Sequence, residues 1–293
     1  MPTARVLAQA KVNLVLHVLA REASGYHSIE TVFLRLDLSD DVRIRVTAGR
    51  SLDCTGAVIP ADGLGPVDKN LGFRAAVAYA DAVGWPAGFA IEIEKRIPVG
   101  AGLGGGSADA GAILRALDAM SPNPLGPRLI ELATELGADV PFMTIESPMA
   151  LGWGRGERLF PLHVLEPRPV AIVVPSFPIS TADAYAWVSA DRGPYRPTAR
   201  VLSPESVATW EEVVVVASND FEIPVASRHR EVAEIVDTLD SMDAVISMLS
   251  GSGSTVFGVF SETPDLAAIV RSTGYSVIAS QTSDRVFRVE IDP

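Results

Sequence analysis

Residues 98–112 read PVGAGLGGGSADAGA, and this glycine-rich run constrains the fold more than any other part of the chain. The residues before it, GFAIEIEKRI at 88–97, alternate apolar and polar side chains and predict a strand. Residues 107–120 after it are rich in Ala and Leu and predict a helix. A flexible linker does not lie between two such strong patterns, and a tight turn requires only one or two glycines.

Closely spaced glycines allow backbone N–H groups to approach a ligand. A strand, a glycine loop and a helix N-terminus together direct those N–H groups, and the positive end of the helix dipole, at an anion. We therefore predict that this loop binds phosphate. It is not a Walker A loop, because no lysine precedes Ser107. It also lacks the parallel-sheet setting of a dinucleotide-binding G-x-G-x-x-G motif.

The charge balance limits the partners of the chain. Lys and Arg number 24 against 36 Asp and Glu, and the net charge of −12 argues against nucleic-acid binding through a broad basic surface. The single cysteine, Cys54, excludes an internal disulfide. The N-terminus has no signal-peptide layout, and no window reaches about 18 uncharged apolar residues. We expect a cytoplasmic protein with no membrane partner and no obligate protein partner.

The start of the chain predicts antiparallel strands. Residues 5–18 are rich in Val and Leu and form the first strand, with a bend near Ala10. Residues 29–38 and 41–47 predict two further strands, with SDD between them as a turn. Such a meander is not a β-α-β unit, which argues against a Rossmann or P-loop domain at the start.

Helical and strand patterns alternate in the rest of the chain. Residues 68–83 have apolar side chains at helical spacing, and Asp68 is the candidate N-cap. AVISMLSGSGSTVFGVF at 244–260 predicts a strand, a glycine turn and a second strand. The second half mixes helices and strands in a split β-α-β manner. Residues 152–169 predict a loop with a short hairpin, and we place the domain boundary within it, near residues 155–168.

Four segments together resemble the GHMP kinases, the family of galactose, homoserine, mevalonate and phosphomevalonate kinases. GLGGGSA is similar to their phosphate loop, and LSGSGSTVFGVF at 249–260 is similar to their third motif. The extra glycine in the loop, GADVPF at 137–142 and QAKVNLVLHVLAREASGYHSIETVF near the N-terminus resemble one branch of the family. That branch phosphorylates the 2-hydroxyl of 4-diphosphocytidyl-2-C-methyl-D-erythritol in the non-mevalonate isoprenoid precursor pathway.

The resemblance implies an α+β fold with the two-domain GHMP kinase architecture. Residues 1–158 would form an N-terminal domain like domain 2 of ribosomal protein S5, which carries the ATP phosphate loop. Residues 159–293 would form a ferredoxin-like C-terminal domain that completes the substrate cleft. The resemblance also implies an ATP-dependent transferase that uses ATP and Mg²⁺, with a cytidine diphosphate-linked methylerythritol as its small-molecule acceptor.

Lys11 and Asp139 are the catalytic pair that the resemblance implies. Asp139 would take the proton from the acceptor hydroxyl, and Lys11 would lower the pKa of that hydroxyl and stabilise developing charge. Judged from the residues alone, Asp139 is also compatible with a helix cap and Lys11 with a solvent-facing strand lysine. Asn13, two residues after Lys11 on the same strand face, is implied as an acceptor ligand.

The resemblance also implies two groups of binding residues. The ATP ligands are Asn70, Lys95, Pro98, Gly100, Gly102, Leu103, Gly104, Gly105, Gly106 and Ser107. Ser107 is in addition a candidate Mg²⁺ contact. The acceptor ligands, besides Asn13, are Tyr26, His27, Thr181, Tyr185, Gly251, Ser252 and Gly253. Tyr26 and Tyr185 would enclose the cytosine ring, and His27 would hydrogen-bond its edge.

Alternatives stay open at this point. Asn70 is also compatible with a helix cap, Lys95 with a solvated charge, and Tyr26 with packing in a turn. Another GHMP kinase, of the mevalonate or homoserine type, would share most of the motifs, but a mevalonate-type acceptor has no base for aromatic residues to bind. A non-catalytic sugar or nucleotide sensor on this fold is disfavoured, because Lys11 and Asp139 are both present.

Overall fold

The structure is a computed structural model, and it describes residues 2–21, 27–192 and 202–292. Within these ranges the strands form two sheets. The strands of the larger sheet are β1 (Thr3–Arg21), β2 (His27–Thr47), β3 (Arg50–Thr55), β4 (Gly88–Glu94), β5 (Met149–Gly154), β6 (Arg158–Pro161), β8 (Ser218–Asn219) and β12 (Glu290–Asp292). Their order is β12-β1-β2-β4-β3, with β5 paired to β2 and β6, and β8 paired to β1.

The two central strands, β1 and β2, pair antiparallel along most of their length, as predicted. The register shifts between Gln9 and Lys11, which is a β-bulge close to the bend predicted at Ala10. β2 is long and pairs with two further strands on its other edge: β5 pairs with its first part and β4 with its last part. The larger sheet is therefore organised around this strand pair.

The predicted SDD turn inside β2 is wrong, because the strand runs without a break from His27 to Thr47. Asp40 of this segment is fully buried. Its carboxylate accepts hydrogen bonds from the backbone N–H groups of Arg96 and Ile97. A buried carboxylate needs such partners, and here they come from a distant segment that allows polar residues to remain in the strand.

Four helices in the described first half pack near the larger sheet: α1 (Leu71–Val83), α2 (Gly105–Met120), α3 (Arg128–Leu136) and α4 (Val140–Thr144). α2 lies against β1 and β2 and has α1, α3 and α4 as neighbours. β3 pairs parallel with β4, and α1 connects the two strands. This β-α-β unit follows the predicted antiparallel meander, which ends with β2 at Thr47. The short strand β3 was not predicted from the sequence. Its parallel pairing with β4 requires a crossover connection, which α1 provides.

Helix α1 begins later than predicted, and its cap is a different residue. The Asn70 side-chain oxygen accepts hydrogen bonds from the N–H groups of Gly72 and Phe73 at 2.9 and 3.2 Å. Asp68 lies instead in the 3-10 turn Val67–Lys69, so the prediction of Asp68 as N-cap is wrong. Both residue types are good caps, and the intervening 3-10 turn decides which of them faces the helix.

The smaller sheet is antiparallel throughout. Its strands are β7 (Pro169–Val174), β9 (Ala244–Leu249), β10 (Val256–Phe260) and β11 (Ser276–Gln281). The helices of this half are α5 (Thr181–Arg192), α6 (Trp210–Val216), α7 (Glu222–Ala226), α8 (Arg230–Asp240) and α9 (Leu266–Thr273). The spatial order β11-β7-β10-β9 is that of a ferredoxin-like β-α-β-β-α-β unit. The predicted α+β class and the predicted strand–glycine turn–strand segment are confirmed.

The two sheets are joined through the chain and through strand pairing. β6 and β7 are consecutive strands and lie in different sheets, but β8 and β12 return to pair with β1. The predicted division into residues 1–158 and 159–293 stays a prediction. Across the part of the chain that the structure describes, no helix is both long enough and apolar enough to span a bilayer.

Candidate active site

A cleft of about 1450 Å³ lies where the larger sheet, the glycine-rich loop, α5 and the SGSGST turn meet. It is lined by predicted site residues from the whole length of the chain. These are Lys11, Asn13, His27, Gly100, Gly102, Gly104, Ser107, Asp139, Thr181, Tyr185, Gly251, Ser252 and Gly253. Segments that are distant in sequence, each with a separate predicted role, therefore share one cavity.

Lys11 and Asp139 face each other in this cleft. Lys11 is buried in β1, and its Nζ lies 3.5 Å from Asp139 Oδ2. The same ammonium group donates hydrogen bonds to Asn13 Oδ1 at 2.8 Å and to the Gly102 carbonyl at 3.1 Å. Asp139 occupies the N-cap position of α4 but makes no side-chain cap bond, and its side chain is 30% exposed. Its carboxylate is thus available to a ligand, whereas the ammonium donates two hydrogen bonds and also forms the ion pair with Asp139.

The glycine-rich loop passes very close to Lys11. Gly104 has a φ of 71°, in the left-handed region. A Cβ at this position would lie 2.8 Å from Met143 Cε and 3.1 Å from Lys11 Cγ, so the positive φ and the close approach together favour glycine. α2 begins at the next residue, two residues before its predicted start. The first N–H groups of a helix have no intrahelical partner. Those of α2 lie in the same turn as the cleft residue Ser107.

The SGSGST turn packs directly against the glycine-rich loop. Ser250 Oγ donates a hydrogen bond to the Gly102 carbonyl at 3.1 Å. Asn219 is buried and donates from Nδ2 to the Gly251 carbonyl at 2.8 Å. Because Asn219 belongs to β8, which pairs with β1, the turn is tied to the strand that carries Lys11. The two glycine segments therefore form one wall of the cleft.

Thr181 and Ser252 meet at another point of the cleft wall. Their hydroxyl oxygens lie 3.0 Å apart. Thr181 is the first residue of α5 and Ser252 belongs to the SGSGST turn, so this contact joins two of the predicted acceptor-binding segments. A hydroxyl group can both donate and accept, which allows either side chain to turn toward a ligand.

Aromatic rings form a further region of the cleft. His27 and Tyr185 are stacked, with ring centroids 4.7 Å apart and an interplanar angle of 12°, and Phe221 contacts Tyr185 edge-on at 4.8 Å. Tyr26 lies outside the described residues, so its predicted sandwich with Tyr185 stays a prediction. Burial, and next the charge of Asp139, raise the pKa of Tyr185 to about 12, so its hydroxyl is neutral near pH 7.

Some predicted ATP ligands are not part of the cleft lining. They are Asn70, Lys95, Pro98, Leu103, Gly105 and Gly106. Asn70 caps α1, the alternative left open for it above. Leu103 is buried, and its carbonyl accepts a hydrogen bond from the backbone N–H of Lys11 at 3.0 Å. Pro98 is half-buried and Gly106 is exposed. Contacts of these residues with ATP stay predictions.

Lys95 departs most clearly from its predicted place. It is buried beneath the loop, and its ammonium group binds the carboxylates of Asp40 and Asp109, the latter at 2.7 Å. It is neither solvated nor directed into the cleft. Two carboxylates and one ammonium leave a net negative charge in a buried site, and burial raises the pKa of Asp109 to about 8. Within the described chain Asp109 Oδ1 has no hydrogen-bond partner, and this oxygen can carry the proton.

We expect Asp109→Asn to flatten the pH dependence of stability. Because the pKa of Asp109 is raised in the folded state, the folded protein binds an extra proton between about pH 5 and pH 8 and loses stability as the pH rises, by up to about tenfold in the unfolding constant per pH unit. Urea unfolding across this range measures the slope, with exposed Asp183→Asn as the control. Parallel slopes for Asp109→Asn and the wild type would contradict the raised pKa.

Several cleft residues were missed from the sequence. They include Phe33, Arg155, Glu157 and Phe221. Glu157 accepts a hydrogen bond from the backbone N–H of Arg155 at 2.6 Å and so shapes the β5–β6 turn. The G-x-G-E pattern of this turn could have identified both residues. Phe33 and Phe221 had no such signal, because single apolar residues in a strand or before a helix usually belong to a core.

Comparison with known proteins identifies the family. Residues 70–147 match the family described as GHMP kinases N terminal domain, and residues 209–275 match GHMP kinases C terminal. A 4-diphosphocytidyl-2-C-methyl-D-erythritol kinase of Salinibacter ruber is 38% identical over 271 residues, which cover 90% of this chain and 93% of the relative. The protein of the same name from Desulfotalea psychrophila is 38% identical over 289 residues, covering 97% and 93%.

Solved structures agree with this result. The fold is similar to that of a 4-(cytidine 5'-diphospho)-2C-methyl-D-erythritol kinase, with a TM-score of 0.76, 33% identity, and coverage of 95% of this chain and 99% of the other. A homoserine kinase from Cytophaga hutchinsonii shares the fold alone, with a TM-score of 0.71 at 17% identity and coverage of 99% and 97%. The chain therefore belongs to the 4-diphosphocytidyl-2-C-methyl-D-erythritol kinase family of the GHMP kinases.

Proposed function

We propose that this protein transfers the γ-phosphoryl group of ATP to the 2-hydroxyl of 4-diphosphocytidyl-2-C-methyl-D-erythritol. The observation that carries the proposal is the Lys11–Asp139 pair, whose charged atoms lie 3.5 Å apart beside the glycine-rich loop in one cleft. Phosphoryl transfer demands positioning and charge neutralisation more than covalent chemistry from the protein. The names of the relatives supply the acceptor.

In the proposed reaction Asp139 is the general base. The acceptor hydroxyl oxygen attacks the γ-phosphorus, its proton passes to the Asp139 carboxylate, and the bond to the β–γ bridging oxygen breaks to release ADP. Lys11 places a fixed positive charge beside the attacking oxygen, where negative charge develops. Asn13 and the Gly102 carbonyl hold that ammonium group in place, so little reorganisation is needed during the reaction.

The glycine-rich loop and the first turn of α2 would hold the β- and γ-phosphates through backbone N–H groups. The donor set also fits Mg²⁺. The Ser107 hydroxyl in the cleft lining is an oxygen donor of the kind that Mg²⁺ accepts together with phosphate oxygens and water. When bound, the ion would neutralise phosphate charge. A cytoplasmic location and the lack of an obligate protein partner stay predictions.

The aromatic region supports a cytidyl acceptor. Tyr185, His27 and Phe221 offer ring surfaces beside the cleft, and a ring nitrogen of His27 lies 3.2 Å from Ser189 Oγ. A pyrimidine base can stack on such rings and bond with such polar atoms. Mevalonate and homoserine have no base, so neither acceptor could stack on these rings as a cytosine can.

A coupled ADP-release assay with three acceptors tests the proposal. We expect kcat/KM for the cytidyl acceptor to exceed that for mevalonate or homoserine by about 10³-fold or more, because a base-binding site loses both stacking and hydrogen bonds when the base is missing. Comparable or faster turnover of mevalonate or homoserine would instead indicate another GHMP kinase. ATP binding without ADP release from any of the three would favour the non-catalytic sensor.

A further inference from the structure

Arg35 is a buried cation for which the proposed reaction has no use. Its side chain in β2 is only 1% exposed. Burial, and next the charge of Arg115, lower its pKa to about 9, so the guanidinium is still charged near pH 7. A buried charge is costly unless it is well solvated by protein groups, and the partners of Arg35 therefore indicate what it does.

Those partners are backbone carbonyls around the C-terminal end of α4. Arg35 Nη2 donates to the Phe142 carbonyl at 2.7 Å and to the Ile145 carbonyl at 3.1 Å, and Nε donates to the Ser147 carbonyl at 3.2 Å. The guanidinium carbon lies 4.9 Å from the centre of the Phe142 ring. The last carbonyls of a helix lack intrahelical partners, and a positive charge there is favourable. Arg35 thus caps α4.

The other end of α4 carries Asp139, which faces Lys11. Lys11 and Arg35 are directly opposed partners in the β1–β2 ladder, so their side chains lie on the same face of the sheet. One cation reaches the N-terminal end of α4 and the other reaches its C-terminal end. α4 has only five residues, and a helix of this length depends on tertiary contacts for its position.

We propose that Arg35 is a positioning residue: it fixes α4 on the sheet and thereby sets the place of Asp139 relative to Lys11. This inference rests on the proposed function of that pair. Phe142 strengthens the link, because its ring stacks at 4.8 Å on Phe33, which lines the cleft. A general base that is displaced by about 1 Å loses about 10²-fold in rate, so small movements of α4 are expected to matter.

The test compares Arg35→Met with Arg115→Met. Arg35→Met keeps the volume but removes the charge and the donors. We expect kcat with the cytidyl acceptor to fall about 10-fold or more, while KM for ATP and Kd for a cytidine nucleotide change less than about 3-fold. Arg35→Lys should recover part of the kcat. In the control, Arg115 donates to the carbonyl of Phe287 at 2.6 Å, which is not part of α4, and its removal should leave kcat near wild type.

Two results would overturn the inference: a kcat for Arg35→Met equal to that of Arg115→Met, or parallel losses in kcat, ATP binding and nucleotide binding. If Arg35→Met does not fold, the same comparison of Arg35→Lys with Arg115→Lys tests the inference instead. If the wild type does not phosphorylate the cytidyl acceptor, the proposed function fails. Amide hydrogen exchange then tests separately whether Arg35 holds α4 in place. We expect faster exchange at residues 140–145 in Arg35→Met only, and unchanged exchange there would contradict the role of Arg35.

Discussion

Asp139→Asn is expected to lower kcat by about 10²-fold or more while ATP affinity stays within about threefold of wild type. The substitution preserves the shape of the side chain but removes the group that accepts the proton of the acceptor hydroxyl. Lys11 keeps its hydrogen bonds to Asn13 and to the Gly102 carbonyl, so the glycine-rich loop should stay in place. Steady-state ADP release measures kcat, and a titration with a fluorescent nucleotide measures ATP affinity.

Asp183→Asn is the matched control for this prediction. Asp183 is exposed near the start of α5, and its substitution changes the net charge by the same single unit. It should keep the wild-type kcat. A near-normal kcat for Asp139→Asn would exclude Asp139 as the general base. An equal loss of ATP affinity and kcat would make Asp139 a structural residue instead.

Gly102→Ala is expected to damage both ATP binding and stability. Gly102 has a φ of 79°, a conformation that costs an L-residue about 1–2 kcal/mol. The added Cβ would also lie 2.1 Å from the carbonyl oxygen of Ser250. Backbone atoms cannot rotate away as a side chain can, so the loop and the SGSGST turn must separate. We expect unfolding to become more favourable by about 3 kcal/mol or more and KM for ATP to rise about 10²-fold.

Gly84→Ala separates backbone strain from the steric clash. Gly84 ends α1 with a φ of 73°, and a Cβ there would have no atom within 4 Å. The Gly84→Ala variant should therefore lose only about 1 kcal/mol of its free energy of unfolding and retain the wild-type KM for ATP. Urea unfolding and ADP-release kinetics measure both variants. Equal losses for Gly84→Ala and Gly102→Ala would contradict the close contact between the two glycine segments.

The two glycine segments could be predicted because their signal is local. Glycines clustered between a strand and a helix require close backbone approach, and the structure shows that approach at Gly102 and Gly104. That Lys11 and Asp139 face each other was inferred from a family resemblance, because their segments are far apart in the sequence. Asp68 was predicted as the N-cap of α1 in place of Asn70, because Asp and Asn are comparable caps. The 3-10 turn that precedes the helix is not visible in the sequence.

Buried charges were the part that the sequence could not specify. Lys95 pairs with Asp40, which is 55 positions away, and Asp40 belongs to the SDD segment, which is continuous strand in the structure. Arg35 meets the carbonyl of Phe142, 107 positions away. A backbone carbonyl exists at every residue, so no residue type marks the acceptor of a buried arginine. Only the fold shows which charges face the cleft and which hold its walls together.

Identification of the product tests the central claim most directly. The protein is incubated with ATP, Mg²⁺ and the cytidyl acceptor, and the mixture is followed by ³¹P NMR. The account predicts a new phosphate monoester signal on the acceptor in an amount equal to the ADP formed, with the diphosphate signals of the acceptor retained. ADP accompanied by inorganic phosphate and an unchanged acceptor, or ester formation by Asp139→Asn at the wild-type rate, would contradict it.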